Sequence, residues 1–164
     1  MSRIQEYINY RLPRWDELPD VELYADQVLS VVKKNLEFFN SEIEMVFTSN
    51  MINNYVKQKI VKPPQNKKYD RVHLAYFTAV CIFKQFMNIS ELCEAIAFLM
   101  NTYSVKELYD IFADELENAL KSTFDSKSFK VNHSDSDTRE IKIIRAATHT
   151  FANLAYAKYM VRNN

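Results

Sequence analysis

Residues 48–71 read Thr-Ser-Asn-Met-Ile-Asn-Asn-Tyr-Val-Lys-Gln-Lys-Ile-Val-Lys-Pro-Pro-Gln-Asn-Lys-Lys-Tyr-Asp-Arg. Thr48 or Ser49 can cap a helix, and the spacing predicts one over roughly 49–60 with Met51, Ile52, Val56 and Ile60 on its inward stripe. Its other face carries Ser49, Asn50, Asn53, Asn54, Lys57 and Gln58. Asparagine is a poor helix former, so a plain solvated helix rarely concentrates it in this way. Amides can pair with adenine in the major groove, and lysine contacts guanine or phosphate. Pro63-Pro64 stop the helix, and Val61 to Tyr69 can form at most a two-stranded wing resting on the helices.

Charge points the same way. Between Thr48 and Arg71 the bases Lys57, Lys59, Lys62, Lys67, Lys68 and Arg71 face a single acid, Asp70. Residues 1–47 instead hold nine acids and five bases, so a chain with no net charge is polarised along its length. Such polarity fits a localised anion-binding surface. The alternative is that lysine and asparagine simply solvate an exposed helix and loop.

Outward from this stretch the chain is helical. Residues 3–10 predict a short helix, and Leu12 to Pro19, with two prolines, an ordered connector. Asp20 is expected to cap an amphipathic helix over 20–39, and Ser41 with Glu44 to add one turn. Asp70 should cap a central helix to about residue 87, and Ser90 should open a shorter one through Met100. Ser104 and Glu107 form a capping box for a helix to about Phe124. Asp125 to Ser136 read as an exposed loop, and Asp137 with Glu140 should cap a last helix to about Arg162.

The chain has 164 residues and no glycine, where ordinary usage near 7% would place about eleven. Dinucleotide loops, phosphate-cradling loops and nucleophile elbows all need glycine and are excluded. Helix ends must then use asparagine in the left-handed conformation, expected at Asn40, Asn88 and Asn101. Cys81 and Cys93 lie within apolar helical patterns and read as buried thiols, and His73, His133 and His149 show no metal-ligand spacing. Asp110, Asp114, Glu115 and Glu117 read as a solvated face beside Lys106 and Lys121. No catalytic residue, cofactor or metal is expected, and with neither a signal peptide nor a spanning segment the expected compartment is the cytoplasm.

Met-Ile-Asn-Asn-Tyr-Val-Lys-Gln-Lys-Ile-Val-Lys-Pro from Met51, followed by Lys67-Lys68-Tyr69, resembles the MerR-type winged helix-turn-helix. In that match Asn53 takes the place of the family's phosphate-binding arginine and Tyr55 that of its second aromatic. Pro63 takes that of its proline and Tyr69 that of the wing tyrosine. Asn88-Ile89-Ser90-Glu91-Leu92 resembles the loop into its fourth helix. Lys59 stands where the family has a turn glycine and Val56 where it has an acid, the wing is shortened, and the long C-terminal coiled-coil helix with effector cysteines is not evident in these residues. Metal or redox sensing is therefore not implied.

The blocks Leu-Pro-Arg-Trp-Asp-Glu-Leu-Pro, Glu-Leu-Tyr-Ala-Asp-Gln-Val and Met-Ile-Asn-Asn-Tyr-Val-Lys-Gln-Lys also resemble an uncharacterised bacterial domain family over about residues 12–100. Together these readings predict an all-α, multi-helix single domain over 1–164. It would have a MerR-like winged helix-turn-helix core in 12–100 and a C-terminal helical pair in 101–164 for dimerisation or ligand sensing. The expected activity is transcriptional regulation by a homodimer on double-stranded DNA. Residues 49–60, with Thr48 at their start and Tyr55 and Lys59 among the DNA-binding residues, would lie in the major groove, and Lys62, Lys67, Lys68, Tyr69 and Arg71 along the phosphates. An unidentified small-molecule effector is allowed for. The alternative is a helical adaptor domain that keeps the shape without DNA affinity.

Overall fold

The computed structural model describes residues 1–125, 134 and 136–163. Its helices are α1 (Arg3–Ile8), α2 (Ala25–Leu36), α3 (Ser49–Lys57), α4 (Arg71–Phe83), α5 (Ile89–Leu99), α6 (Val105–Phe124) and α7 (Arg139–Arg162). Two 3-10 segments, Trp15–Glu17 and Glu37–Ser41, interrupt the connections. Among the described residues there is no strand, only the isolated bridges Leu23–Tyr69 and Gln65–Lys68. The protein is thus all-helical, as its periodicities predict.

One continuous core joins every helix. Helix α4 is its axis: Leu74, Ala75, Phe77, Thr78, Val80, Cys81 and Ile82 are all buried. A helix apolar on nearly every side has to be surrounded, and α2, α6 and α7 pack around it. Thr78 meets this burial by donating its hydroxyl to the Leu74 carbonyl at 2.8 Å. Each fully buried Phe or Leu of this kind contributes about 1.5–3 kcal/mol. The apolar faces of α6 and α7 are spent against each other, α4 and α1, burying Phe112, Leu116, Phe151 and Ala152. Tyr7 stacks on Phe124 with ring centroids 4.0 Å apart. The C-terminal pair is therefore part of the single core.

Several boundaries differ from expectation, each for a local reason. Helix α2 begins at Ala25, not after Asp20, because Leu23 is extended and exchanges backbone hydrogen bonds with Tyr69 at 2.9 and 2.8 Å. That bridge and the burial of Leu23 outweigh one cap, worth about 1 kcal/mol. The Tyr24 N–H donates to Gln27 Oε1 instead, and Val21 and Tyr24 stand in solvent. The Ser41–Glu44 turn does not form, since Asn40 Oδ1 accepts the Met45 N–H at 2.9 Å.

Asn88 is an N-cap rather than a C-terminus. Its Oδ1 accepts the Glu91 N–H at 3.0 Å while Glu91 accepts the Asn88 N–H at 2.8 Å, a capping box that starts α5 at Ile89, ahead of the expected Ser90. Thr138, not Asp137, caps α7, because the Asp137 carboxylate is held by Arg145 at 2.6 Å. The Ser104–Glu107 box forms as predicted. Among the described residues the left-handed positions are Lys59, Asn66 and Lys67, not the three asparagines expected. Most of the expected 125–136 loop, and His133, lie outside the described residues.

The acids of α6 are not a solvated face. Glu117 accepts the Leu12 N–H at 2.9 Å and two guanidinium bonds from Arg14, and Asp110 accepts the Trp15 N–H at 2.8 Å. They clamp the proline-bearing connector onto α6. Glu115 is buried and receives both Arg145 Nε and Nη2, at 2.9 and 3.0 Å. An ion pair this dry holds only because its hydrogen bonds are complete.

Candidate nucleic-acid interface

Helix α3 is nine residues long, so it spans about 13 Å, close to the width of a DNA major groove. Thr48 is extended and its Oγ1 accepts the Met51 N–H at 3.3 Å, which starts the helix at Ser49. Ile52 and Tyr55 face the core, and Met51 and Val56 lie half-buried beside them. At 100° per residue, Ser49, Asn50, Asn53, Asn54 and Lys57 then fall within an arc of about 140° on the other side. All five are exposed, as are Thr48, Gln58 and Lys59. Gln58 donates to Asn54 Oδ1 at 3.2 Å along this face.

The helix ends at Lys57, three residues before the predicted stop and well before the prolines. Lys59 has φ 60°, its N–H reaches the Val56 carbonyl at 3.0 Å, and the Ile60 N–H reaches the Tyr55 carbonyl at 3.0 Å. This is a Schellman stop with lysine in the position that favours glycine, at a cost of about 1 kcal/mol. Ile60 and Val61 are buried just beyond it, so the chain turns inward before it emerges again at Lys62.

The wing is a single tight turn. Gln65 and Lys68 exchange backbone hydrogen bonds at 3.1 and 2.8 Å, and Asn66 and Lys67 between them have φ of 49° and 61°. Two consecutive left-handed residues make a type I′ hairpin turn. Its base is held from behind by His73, buried at 2% exposure in the first turn of α4. His73 Nε2 lies 2.9 Å from the Lys62 carbonyl oxygen, and its Nδ1 faces Asp70 Oδ1 at 2.8 Å. Burial pushes the Asp70 carboxyl upward, but the His73 backbone N–H, the His73 ring and Lys62 outweigh it and leave it below its ordinary value.

Three residues expected at the interface are elsewhere. Tyr55 and Tyr69 are core side chains, 3% and 5% exposed, both in ring contact with Phe77. Burial raises the Tyr55 phenol to about 12. Arg71 turns back over the Trp15 ring, 5.6 Å from its centroid, and sits 3.8 and 3.6 Å from Asp16 and Asp20. Lys68 is drawn to Glu22 at 3.9 Å and the Tyr24 ring, and Lys62 to Asp70 at 3.4 Å. The acids of residues 16–22, distant in sequence, thus return in space and offset part of the basic run. Among the described residues Lys57, Lys59 and Lys67 make no ion pair.

His73 and Lys84 are the contributors that sequence reasoning missed. Lys84 donates to the Val46 carbonyl and lies 3.7 Å from Met51 Sδ, bracing the approach to α3, and burial lowers its pKa. The signal for His73 was its place three residues after the cap Asp70, the reciprocal position of a capping box.

Residues 13–112 match the family model described as Domain of unknown function (DUF1836). The chain belongs to that family. The DUF1836 span takes in the connector, α2 to α5 and α6 as far as Phe112, further than the expected end near residue 100. It contains the whole of the α3 face and the wing, whereas the last turns of α6 and all of α7 fall outside it. No curated protein and no solved structure matches the chain.

Among the described residues no group of His, Cys, Asp and Glu could hold a metal ion. No helix among them is long and apolar enough to cross a membrane.

Proposed function

We propose that this chain is a cytoplasmic, bacterial DNA-binding transcriptional regulator that acts without a cofactor. In this reading the α3 face lies in the major groove, with Asn50, Asn53 and Asn54 toward base edges, and the wing turn lies along the phosphates. The observation that carries it is the segregation within α3: amides and lysine are all exposed on one arc while Ile52 and Tyr55 secure the other in the core. The left-handed Lys59, at the position where the MerR-type motif has its turn glycine, supports the same register. Lys57, Lys59, Lys62 and Lys67 are the phosphate contacts, with Lys68 and Arg71 turned toward Glu22, Asp16 and Asp20.

A monomer would offer one short helix, so the regulator is further proposed to act as a homodimer on two half-sites one helical turn apart. Selection of bound fragments from genomic DNA, followed by titration of the best one at several salt concentrations, tests the reading. A log–log slope of about 0.9 per neutralised phosphate is expected, hence about four per protomer. Failure to enrich any fragment, or affinity that ignores ionic strength, would remove the proposal.

A second reading is an adaptor domain for other proteins. The observation in its favour is Asn53, which stands in place of the motif's arginine, together with the internal engagement of Arg71 and Lys68. It predicts weak salt dependence and no fragment enrichment.

A further inference from the structure

Helix α5 is held more loosely than its composition suggests. Its sequence Ile-Ser-Glu-Leu-Cys-Glu-Ala-Ile-Ala-Phe-Leu is strongly apolar, yet Leu92 is its one fully buried side chain. Beneath it, between α4 and α6, lies an open cavity of about 80 Å³ walled by Ala79, Phe83, Ile96, Leu99 and Leu108. Its lining is almost wholly apolar, and apolar cavities take up apolar guests; ~150 Å³ suffices for benzene. The volume suits a short alkyl chain or part of one ring.

A second depression lies at the end of α3, with Lys57, Lys59, Lys62, Val61 and Pro63 in its lining. Tyr76 and Val105 line both depressions, so the two adjoin along these side chains. One side is apolar and the other presents ammonium groups, of which only Lys62 has a carboxylate nearby, Asp70 at 3.4 Å. A ligand with matching halves gains burial from the first and charge from the second.

We propose that these depressions form one binding site for a small carboxylate with an apolar tail, the tail beneath α5 and the carboxylate among Lys57, Lys59 and Lys62. The site does not depend on DNA binding. A neutral or cationic ligand of the same length loses the lysine interaction and binds less well, by a few-fold, since exposed charge pairs are weak.

Chemical-shift titration of the full-length, isotope-labelled protein with hexanoate, 1-hexanol and hexylammonium provides the test. Hexanoate is expected to give saturable shifts at Ala79, Leu99 and Leu108, with a dissociation constant at least about threefold below that of hexanol. Ala79→Trp fills the cavity, and Met100→Trp blocks its rim from a position already 38% exposed. Either substitution should abolish these shifts, whereas replacing the three lysines with glutamine should bring hexanoate to the level of hexanol. The proposal is overturned if hexanoate gives no saturable shifts or binds no better than hexanol. It also fails if hexanoate binding persists unchanged in a tryptophan variant whose circular dichroism matches the parent protein; should one variant misfold, the other and the wild-type ligand series decide.

Discussion

His73 Nε2 stands 2.9 Å from the carbonyl oxygen of Lys62, joining the base of the wing to the first turn of α4. A carbonyl can only accept, so Nε2 carries a proton. The same ring stacks edge-on against Tyr69 at 5.1 Å, whose backbone is in turn bridged to Leu23. A wing too short to be stable alone is thus held from behind by the His73 ring and by the Leu23 bridge.

His73→Ala leaves the Lys62 carbonyl without its donor and removes half of a capping box. A loss of about 2 kcal/mol is expected. Urea unfolding measures that loss, and hydrogen exchange should show faster amides over 65–69, with those of α3 little changed.

Lys59→Gly relieves a left-handed lysine at the cost of a looser unfolded chain, so stability should rise by up to about 1 kcal/mol. The same change removes one cation from the candidate interface. Thermal unfolding and a DNA salt titration therefore move in opposite senses: a higher midpoint, and a slope smaller by about 0.9. A slope identical to that of the parent protein would exclude Lys59 from the contact.

Glu42 supplies a pH dependence. Burial pushes its carboxyl upward, but hydrogen bonds from Arg3, at 2.7 and 3.1 Å, and Tyr7, at 2.6 Å, outweigh this and hold it below its ordinary 4.5. A group depressed on folding stabilises fully above its unfolded value and loses that contribution as pH falls through the folded one. Glu42→Gln should therefore be less stable than the parent protein at pH 7, with the difference shrinking below about pH 4. Urea midpoints followed from pH 7 to pH 3 give both curves.

The two thiols should separate kinetically. Cys81 is fully buried in α4 and burial pushes its thiol up to about 12, whereas Cys93 is only partly covered on α5. The thiolate is the reactive form. At pH 8 a disulfide reagent should label Cys93 in the native protein and reach Cys81 only after denaturant is added, as mass spectrometry of peptides will show.

The helices were legible because their periodicity reports the same burial that stabilises them. Asp70 and the Ser104–Glu107 box marked true starts, and the outward amides of α3 followed from Ile52 and the 3.6-residue repeat. What escaped was set by partners far along the chain. Leu23 left its helical pattern to pair with Tyr69, Asp137 gave up its cap to Arg145, and α6 carboxylates that looked solvated hold Arg14. Arg71 and Lys68 looked free for the same reason, because their acids lie about fifty residues earlier. The left-handed sites were misplaced since asparagine propensity is weak beside the geometry of a Schellman stop or a hairpin turn.

The clamp between α6 and the connector has a temporal consequence. Leu12 and Glu117, bonded at 2.9 Å, are separated by 105 positions, and α1 packs on the same late helix. On a ribosome the opening of the chain emerges first and finds its place last, once α6 has cleared the exit tunnel. Until then the segment from α2 to α5 must hold Phe39, Phe47 and Phe77 together unaided, with α1 and the connector still lacking the helix they pack on.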